Sequence, residues 1–399
     1  MSLITCVSTC VSPQVLVAKP NLRRRIAREW FGKVLAVLIL WTAVHSAAFA
    51  KVASISVQSP NLISSTTTNV TSPVHFEATA EDSLDITGYV VYVDNRNAFQ
   101  NFSRSLDAWV VLAPGPHTVF IKAWDSSSNA STAVYHVAVT GFAPPVPPSA
   151  ATRIVNIDQS TWTVDNNNGV GGQCNSGFIG SYLSNVDPNT ANSPGAALGQ
   201  HFLVTSRCQF DDSLFYRKFT QNPSPYAKNT NFLWDFWFYI PTTTLTNTVQ
   251  ALEFDLFQAV HLVDGVHEFM FGTQCNYVTN QLQLWLPRNG GLDWVNAGPS
   301  GCRFSTGRWH HATYFFQRVT PTGYQQIPNN FSSTTDKNTW LRFGTLTVDG
   351  RSYYLGSLAY STIPNPAWSP VLGVQHQLDS AVAGSTIEEY VHKESLTVW

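Results

Sequence analysis

The chain has 399 residues and a formal net charge of −2, with 12% charged and 13% aromatic side chains. Soluble domains average about 25% charged residues, so an exported β protein fits this composition better than a helical cytosolic enzyme. The length is enough for two or three domains with real cores.

In chain order, the first feature is a leader. Arg23, Arg24, Arg25, Arg28 and Lys33 precede an apolar run over residues 34–42, and Ala48-Phe49-Ala50 supplies an Ala-x-Ala cleavage site. This pattern predicts a signal peptide with a long positive region over residues 1–50. The stretch from Val34 to Ala50 is 17 residues, short of the ~20 that a membrane span needs. Cleavage is therefore the expectation, with an uncleaved anchor as the alternative, and the predicted location is secreted, periplasmic or cell-surface. A cleaved chain is not an integral membrane protein. Cleavage removes six of the 23 Lys+Arg and one of the 25 Asp+Glu, leaving 17 and 24, a net of about −7. No basic cluster remains, which excludes nucleic acid as a partner. Cys174, Cys208, Cys275 and Cys302 stay, an even number that reads as two disulfides in an exported protein. Local pairing of 174 with 208 and of 275 with 302 is preferred among the three connectivities.

Residues 51–141 hold short alternating segments every ten or so residues, with turn signals such as Pro114-Gly115-Pro116 between them. That spacing predicts a small β-sandwich. The stretch 86–94 followed by 115–125, ending His117-Thr-Val-Phe-Ile-Lys-Ala-Trp-Asp125, resembles bacterial immunoglobulin-like modules. The resemblance implies a spacer, with adhesion as the minority use. Residues 142–151 follow, and Pro144, Pro145, Pro147 and Pro148 make them an extended linker.

Residues 152–399 show almost no helical periodicity and many strand candidates, among them 214–219, 231–240, 249–258, 281–286, 309–318 and 385–398. Asp349-Gly350 between two such runs is a strong hairpin signal. The expectation is one large all-β unit, a two-sheet jelly roll rather than a barrel.

Within it, residues 251–258 read Ala-Leu-Glu-Phe-Asp-Leu-Phe-Gln. Glu253 and Asp255, two apart on a strand, share a face. Gln258 joins them only if a bulge shifts the register. The three resemble the Glu-x-Asp-x-x-Glu strand of laminarinase-type retaining glycosidases, with the last carboxylate replaced by an amide. With the His310-His311 strand, the 348–350 hairpin and the closing strand 387–399, the unit resembles the concanavalin-type lectin and glucanase fold. The resemblance implies Glu253 as nucleophile and Asp255 as its electrostatic partner. Gln258 cannot give a proton to a leaving oxygen, so a working hydrolase needs another acid, for which Glu268 is the candidate.

Sugar sites pair aromatic faces with amides and carboxylates. On 281–286, Leu282, Leu284 and Leu286 read as core, leaving Gln281, Gln283 and Trp285 as a candidate binding face. Asp235, Trp237 and Tyr239 share a face that would fit a second candidate lining, and His311, on the 309–318 strand, is a further candidate. His310, Tyr314 and Arg318 could imitate the base, acid and carboxylate clamp of a polysaccharide lyase. No cofactor or metal is expected; oxygens at 165–168 would suit a structural Ca²⁺, but no defined ligand spacing appears there. The leading expectation is an exported carbohydrate-binding, lectin-like protein whose partner is a polysaccharide or glycan. The alternatives are a glycoside hydrolase or lyase with displaced residues, and a structural or adhesion protein.

Overall fold

Alternation of apolar and polar residues drives every main element of the chain. The computed structural model describes residues 54–165, 179–186, 194, 199–219, 229–262, 265–288, 291–319, 340–360 and 370–399. The leader, Cys174 and the 166–168 oxygens lie outside the described residues. Within them the fold is all-β, with one short 3₁₀ turn, and no helix is long and apolar enough to cross a membrane.

The first sandwich is built from β1 (Ser54–Ser59), β2 (Thr67–Ser72), β3 (Val74–Glu81), β4 (Ile86–Val93), β5 (Arg96–Asn101), β6 (Ser105–Val110), β7 (Gly115–Asp125) and β8 (Ala130–Phe142). Its sheets run β1-β3-β6 and β2-β8-β7-β4-β5, with β2 and β8 parallel. Phe76, Tyr89, Val91, Leu106, Val119 and Ile121 fill the space between them. Asp94 and Asn95 both take positive φ, 49° and 65°, in a two-residue loop between β4 and β5, the geometry that matches strand twist in a tight hairpin.

The second sandwich begins with β9 (Thr152–Ile154), β10 (Thr163–Asp165), β11 (Ile179–Val186), β12 (Gly199–Thr205), β13 (Asp212–Phe219), β14 (Asn231–Tyr239), β15 (Val249–Leu262), β16 (Gly265–Phe271) and β17 (Thr273–Asn276). It continues with β18 (Gln281–Arg288), β19 (Gly291–Ser300), β20 (Trp309–Val319), β21 (Trp340–Val348), β22 (Arg351–Tyr354), β23 (Leu358–Tyr360), β24 (Val371–Ser380) and β25 (Thr386–Val398). The front sheet runs β10-β13-β24-β15-β17-β18-β19, with β16 on β15. The rear sheet runs β11-β12-β25-β14-β20-β21-β22, with β23 on β21 and β9 on β25. Phe232, Trp234, Phe236 and Phe238 of β14 face Leu252, Phe254 and Leu256 of β15 across an apolar interior. Asp349-Gly350 forms the expected hairpin, with φ of 50° and 80°.

Several strands fall outside the segments read from the sequence, among them β2, β5, β9, β10, β11, β19 and β24, and Gly272 separates β16 from β17. Cys275 and Cys302 are bridged as expected, tying β17 to the segment that follows β19. Cys208 is also disulfide-bonded; its expected partner, Cys174, is not among the described residues.

The two sandwiches share a seam. Trp109 and Val111 pack on Phe315, Leu233 and Trp399, and the Gln317 side-chain amide donates to the Trp109 carbonyl at 3.0 Å.

Candidate functional site

The outer face of the front sheet is concave and holds a cleft of about 810 Å³. Its lining follows from period-two alternation: Leu252, Phe254 and Leu256 point inward, so Glu253 and Asp255 point out. Ladder pairing lines these residues up in rows. One row runs Leu214, Gln377, Glu253, Gln274, Gln283, Asn296 across β13, β24, β15, β17, β18 and β19. The next carries Gln375, Asp255, Trp285 and Trp294. A third places Asp212 opposite Asp379.

The amides of the cleft are tied to one another and to the acids. Gln274 donates to Gln283, Gln283 to Asn296 at 3.0 Å, and Gln377 to Asp379 at 2.9 Å. Asp255 accepts from the Thr273 backbone N–H at 2.9 Å and from Gln375 at 2.8 Å. Glu253 hydrogen-bonds with Asp379. Trp285 and Trp294 stand together as an aromatic wall, ring centroids 5.1 Å apart. Gly272 makes that wall possible: a Cβ there would lie 2.9 Å from Trp285 Cβ and 3.3 Å from the Trp294 ring.

Among the described residues the cleft is electrostatically one-signed: Asp212, Glu253, Asp255 and Asp379 line it, and no Lys, Arg or His does. Burial, followed by the Asp379, Asp211 and Asp165 charges, pushes the Asp212 carboxyl up to about 8. Burial and the neighbouring Asp379 and Asp255 raise Glu253 well above the usual carboxylate range. Burial likewise raises Asp255 and Asp379, against the hydrogen bonds each accepts. Carboxyls that share a desolvated patch resist losing all their protons together.

The structure thus gathers Glu253, Asp255, Gln283 and Trp285 in one groove and leaves the other candidates elsewhere. Gln258 departs from expectation. From Ala251 to Leu262, β15 pairs with β17 and β16 in one register, with no bulge after Glu253. Gln258 therefore falls on the inward face, fully buried, accepting from Arg318 at 3.2 Å and donating to the Asn229 carbonyl at 3.2 Å. Glu268 pairs with Ala259, six residues along β15 from Glu253, roughly 20 Å away at ~3.4 Å per residue. It is outside the cleft lining. Gln281 pairs with Asn276 at the end of the cleft, and is not part of the lining either.

Asp235, Trp237 and His311 stand on the outer face of the rear sheet, across the sandwich from the cleft. There His311 stacks on Trp237 at 4.6 Å and meets Asp235 at 3.0 Å. The lyase-like set fails for a similar reason. Tyr314 and Arg318 are buried between the sheets, and His310 is held by Asp349 and the Ser305 carbonyl, both at 2.9 Å.

The residues missed by sequence reasoning are Asp379, Gln375 and Gln377 on β24, Asp212 on β13, and Trp294 and Asn296 on β19. The signal was present in β24, where Leu372, Val374 and Leu378 alternate with Gln375, Gln377 and Asp379. His376 interrupts the apolar face of that strand. It is fully buried between Glu389 at 3.2 Å and Glu394 at 3.5 Å.

No family model matches the sequence, and no curated protein matches it. Among solved structures, the chain is similar to carbohydrate-binding modules from the β-sandwich superfamily, at 12% identity over 86% of this chain and 98% of that one, with a TM-score of 0.29. It is similar to an endo-1,3-β-glucanase from Streptomyces sioyaensis at 13% identity, covering 64% and 99%, with a TM-score of 0.31. Arcelin-5, a lectin-like defense protein from Phaseolus vulgaris, matches at 12% identity over 60% and 99%, with a TM-score of 0.27. At these identities and scores the likeness carries no argument about what this chain binds, and the cleft stands on its own chemistry.

Proposed function

We propose that the chain is an exported glycan-binding protein whose site is the front-sheet cleft. The observation that carries this reading is the joining, in one groove, of the Trp285–Trp294 wall with rows of amides and carboxylates. Aromatic faces accept the C–H faces of sugar rings, and the polar rows supply fixed partners for hydroxyls. The first sandwich is the immunoglobulin-like spacer of this proposal, joined through residues 142–151, and export through the leader over residues 1–50 belongs to it as well.

Affinity electrophoresis of the full chain through gels cast with soluble glycans tests the reading. Retardation by at least one glycan is expected, and it should be lost in Trp285→Ala and Trp294→Ala. A native chain that every glycan leaves unretarded would refute it.

A second reading, glycoside hydrolysis, is favoured by one observation. Burial and the neighbouring Asp379 and Asp255 push the Glu253 carboxyl well above the usual range, the direction a general acid requires. Here the second carboxyl comes from the neighbouring strand rather than from residue 258. Reducing ends released by the native chain, and abolished by Glu253→Gln, would place it among two-carboxylate hydrolases. Retention without release assigns the cleft to binding alone.

A further inference from the structure

Resting on the glycan-binding reading, we propose that the cleft selects an oligosaccharide bearing protonated amino groups, a polymer of glucosamine type, with an ammonium seated among Asp212, Asp379 and Glu253. The first observation is a surplus of acceptors. Gln274, Gln283 and Gln377 each already give one amide N–H to a neighbouring oxygen of the cleft, and Gln375 gives both of its own. Asp212 is 6% exposed, yet its Oδ1 has no hydrogen-bond partner among the described residues. It lines the cleft directly opposite Asp379. An ammonium offers three donors and no acceptor, the complement of this patch.

The second observation is charge. Among the described residues four acids and no base line the groove, so a uronate would add one more carboxylate to acids that already hold protons against mutual repulsion, whereas a cation relieves that repulsion and frees their shared protons to solvent. Trp285 adds to the same preference, since indole faces attract ammonium groups as well as C–H faces.

Size follows from strand spacing. β24 and β18 are separated by β15 and β17, about 14 Å at ~4.8 Å per strand. That is more than one sugar ring spans, so a ligand touching both the acid patch and the aromatic wall is an oligomer.

The test is calorimetric titration of the full chain at about pH 6, below the ~7.7 of an α-amino group. The probes are a glucosamine hexamer, its fully N-acetylated counterpart, a neutral β-glucan hexamer and a galacturonate hexamer. The amino hexamer should bind roughly tenfold or more tightly than the N-acetylated one, the worth of a charge-assisted hydrogen bond. Asp212→Asn should erase that preference, weakening the amino hexamer by roughly tenfold more than the N-acetylated one. Equal affinity for the two hexamers overturns the inference, as does a preference that survives Asp212→Asn; either result leaves the glycan-binding reading standing. A folded chain that binds none of the four fails both. A thermal shift with CaCl₂ alone, lost in Asp212→Asn and unaccompanied by amine preference, gives the patch to a metal ion and also overturns the inference.

Discussion

Asp212 carries a buried carboxyl whose Oδ1 has no hydrogen-bond partner among the described residues, an arrangement that costs stability, and its ionisation is displaced to about 8 by burial and by Asp379. Between about pH 4 and pH 8 the native chain keeps a proton here that the unfolded chain has released. The folded state therefore binds more protons in that window, and stability must fall as pH rises through it. Thermal unfolding should show a melting temperature that declines over this range, with a shallower decline in Asp212→Asn. An unchanged slope would mean that the Asp212 oxygen has a partner after all. Gly272 makes the opposite point, for there an absent side chain does the positioning. Gly272→Ala pushes on Trp285 at its own Cβ, and overpacking of this kind costs about 1–3 kcal/mol. Glycan retention should weaken while the fold, judged by circular dichroism, persists.

At the scale of the element, legibility depended on how cleanly a strand alternates. β14 and β18 were readable because their aromatic and leucine faces repeat without a break. On β15, alternation correctly set Glu253 and Asp255 on one side, and the same rule carries Gln258 to the other. The likeness to a bulged motif placed Gln258 wrongly because no bulge is present to shift it. β24 was passed over because His376 interrupts its apolar face, although burial of His376 between two glutamates makes it part of the core. The partner of Glu253 was hidden with it, since pairing between strands far apart in sequence is invisible without the register. The Cys275–Cys302 bridge, by contrast, was readable from cysteine parity and proximity. It closes a loop of 27 residues' separation around β18 and β19, the strands that carry the aromatic wall. Replacing both cysteines with alanine should lower unfolding free energy by about 2–4 kcal/mol, read from the urea midpoint, and loosen glycan retention along with it.

Across the whole molecule, the two sandwiches have separate interiors joined by the seam at Trp109. Nothing in the sequence marked Trp109, Phe315 and Trp399 as mutual partners. Truncating a buried Trp costs about 3–5 kcal/mol. Trp109→Ala should therefore split a single calorimetric transition into two, one for each sandwich. A single unchanged endotherm would show that the linker alone couples them. The same seam has a mechanical meaning. The cleft opens on the front sheet, whereas the seam grips the rear sheet, so tension toward the first sandwich from a polymer held as proposed would cross the full thickness of the second. The apolar clasp bears that load before the nine residues 143–151 are stretched. Once it lets go, the linker can pay out to about 30 Å, and a pulled molecule lengthens by a short tether before any strand is torn from its sheet.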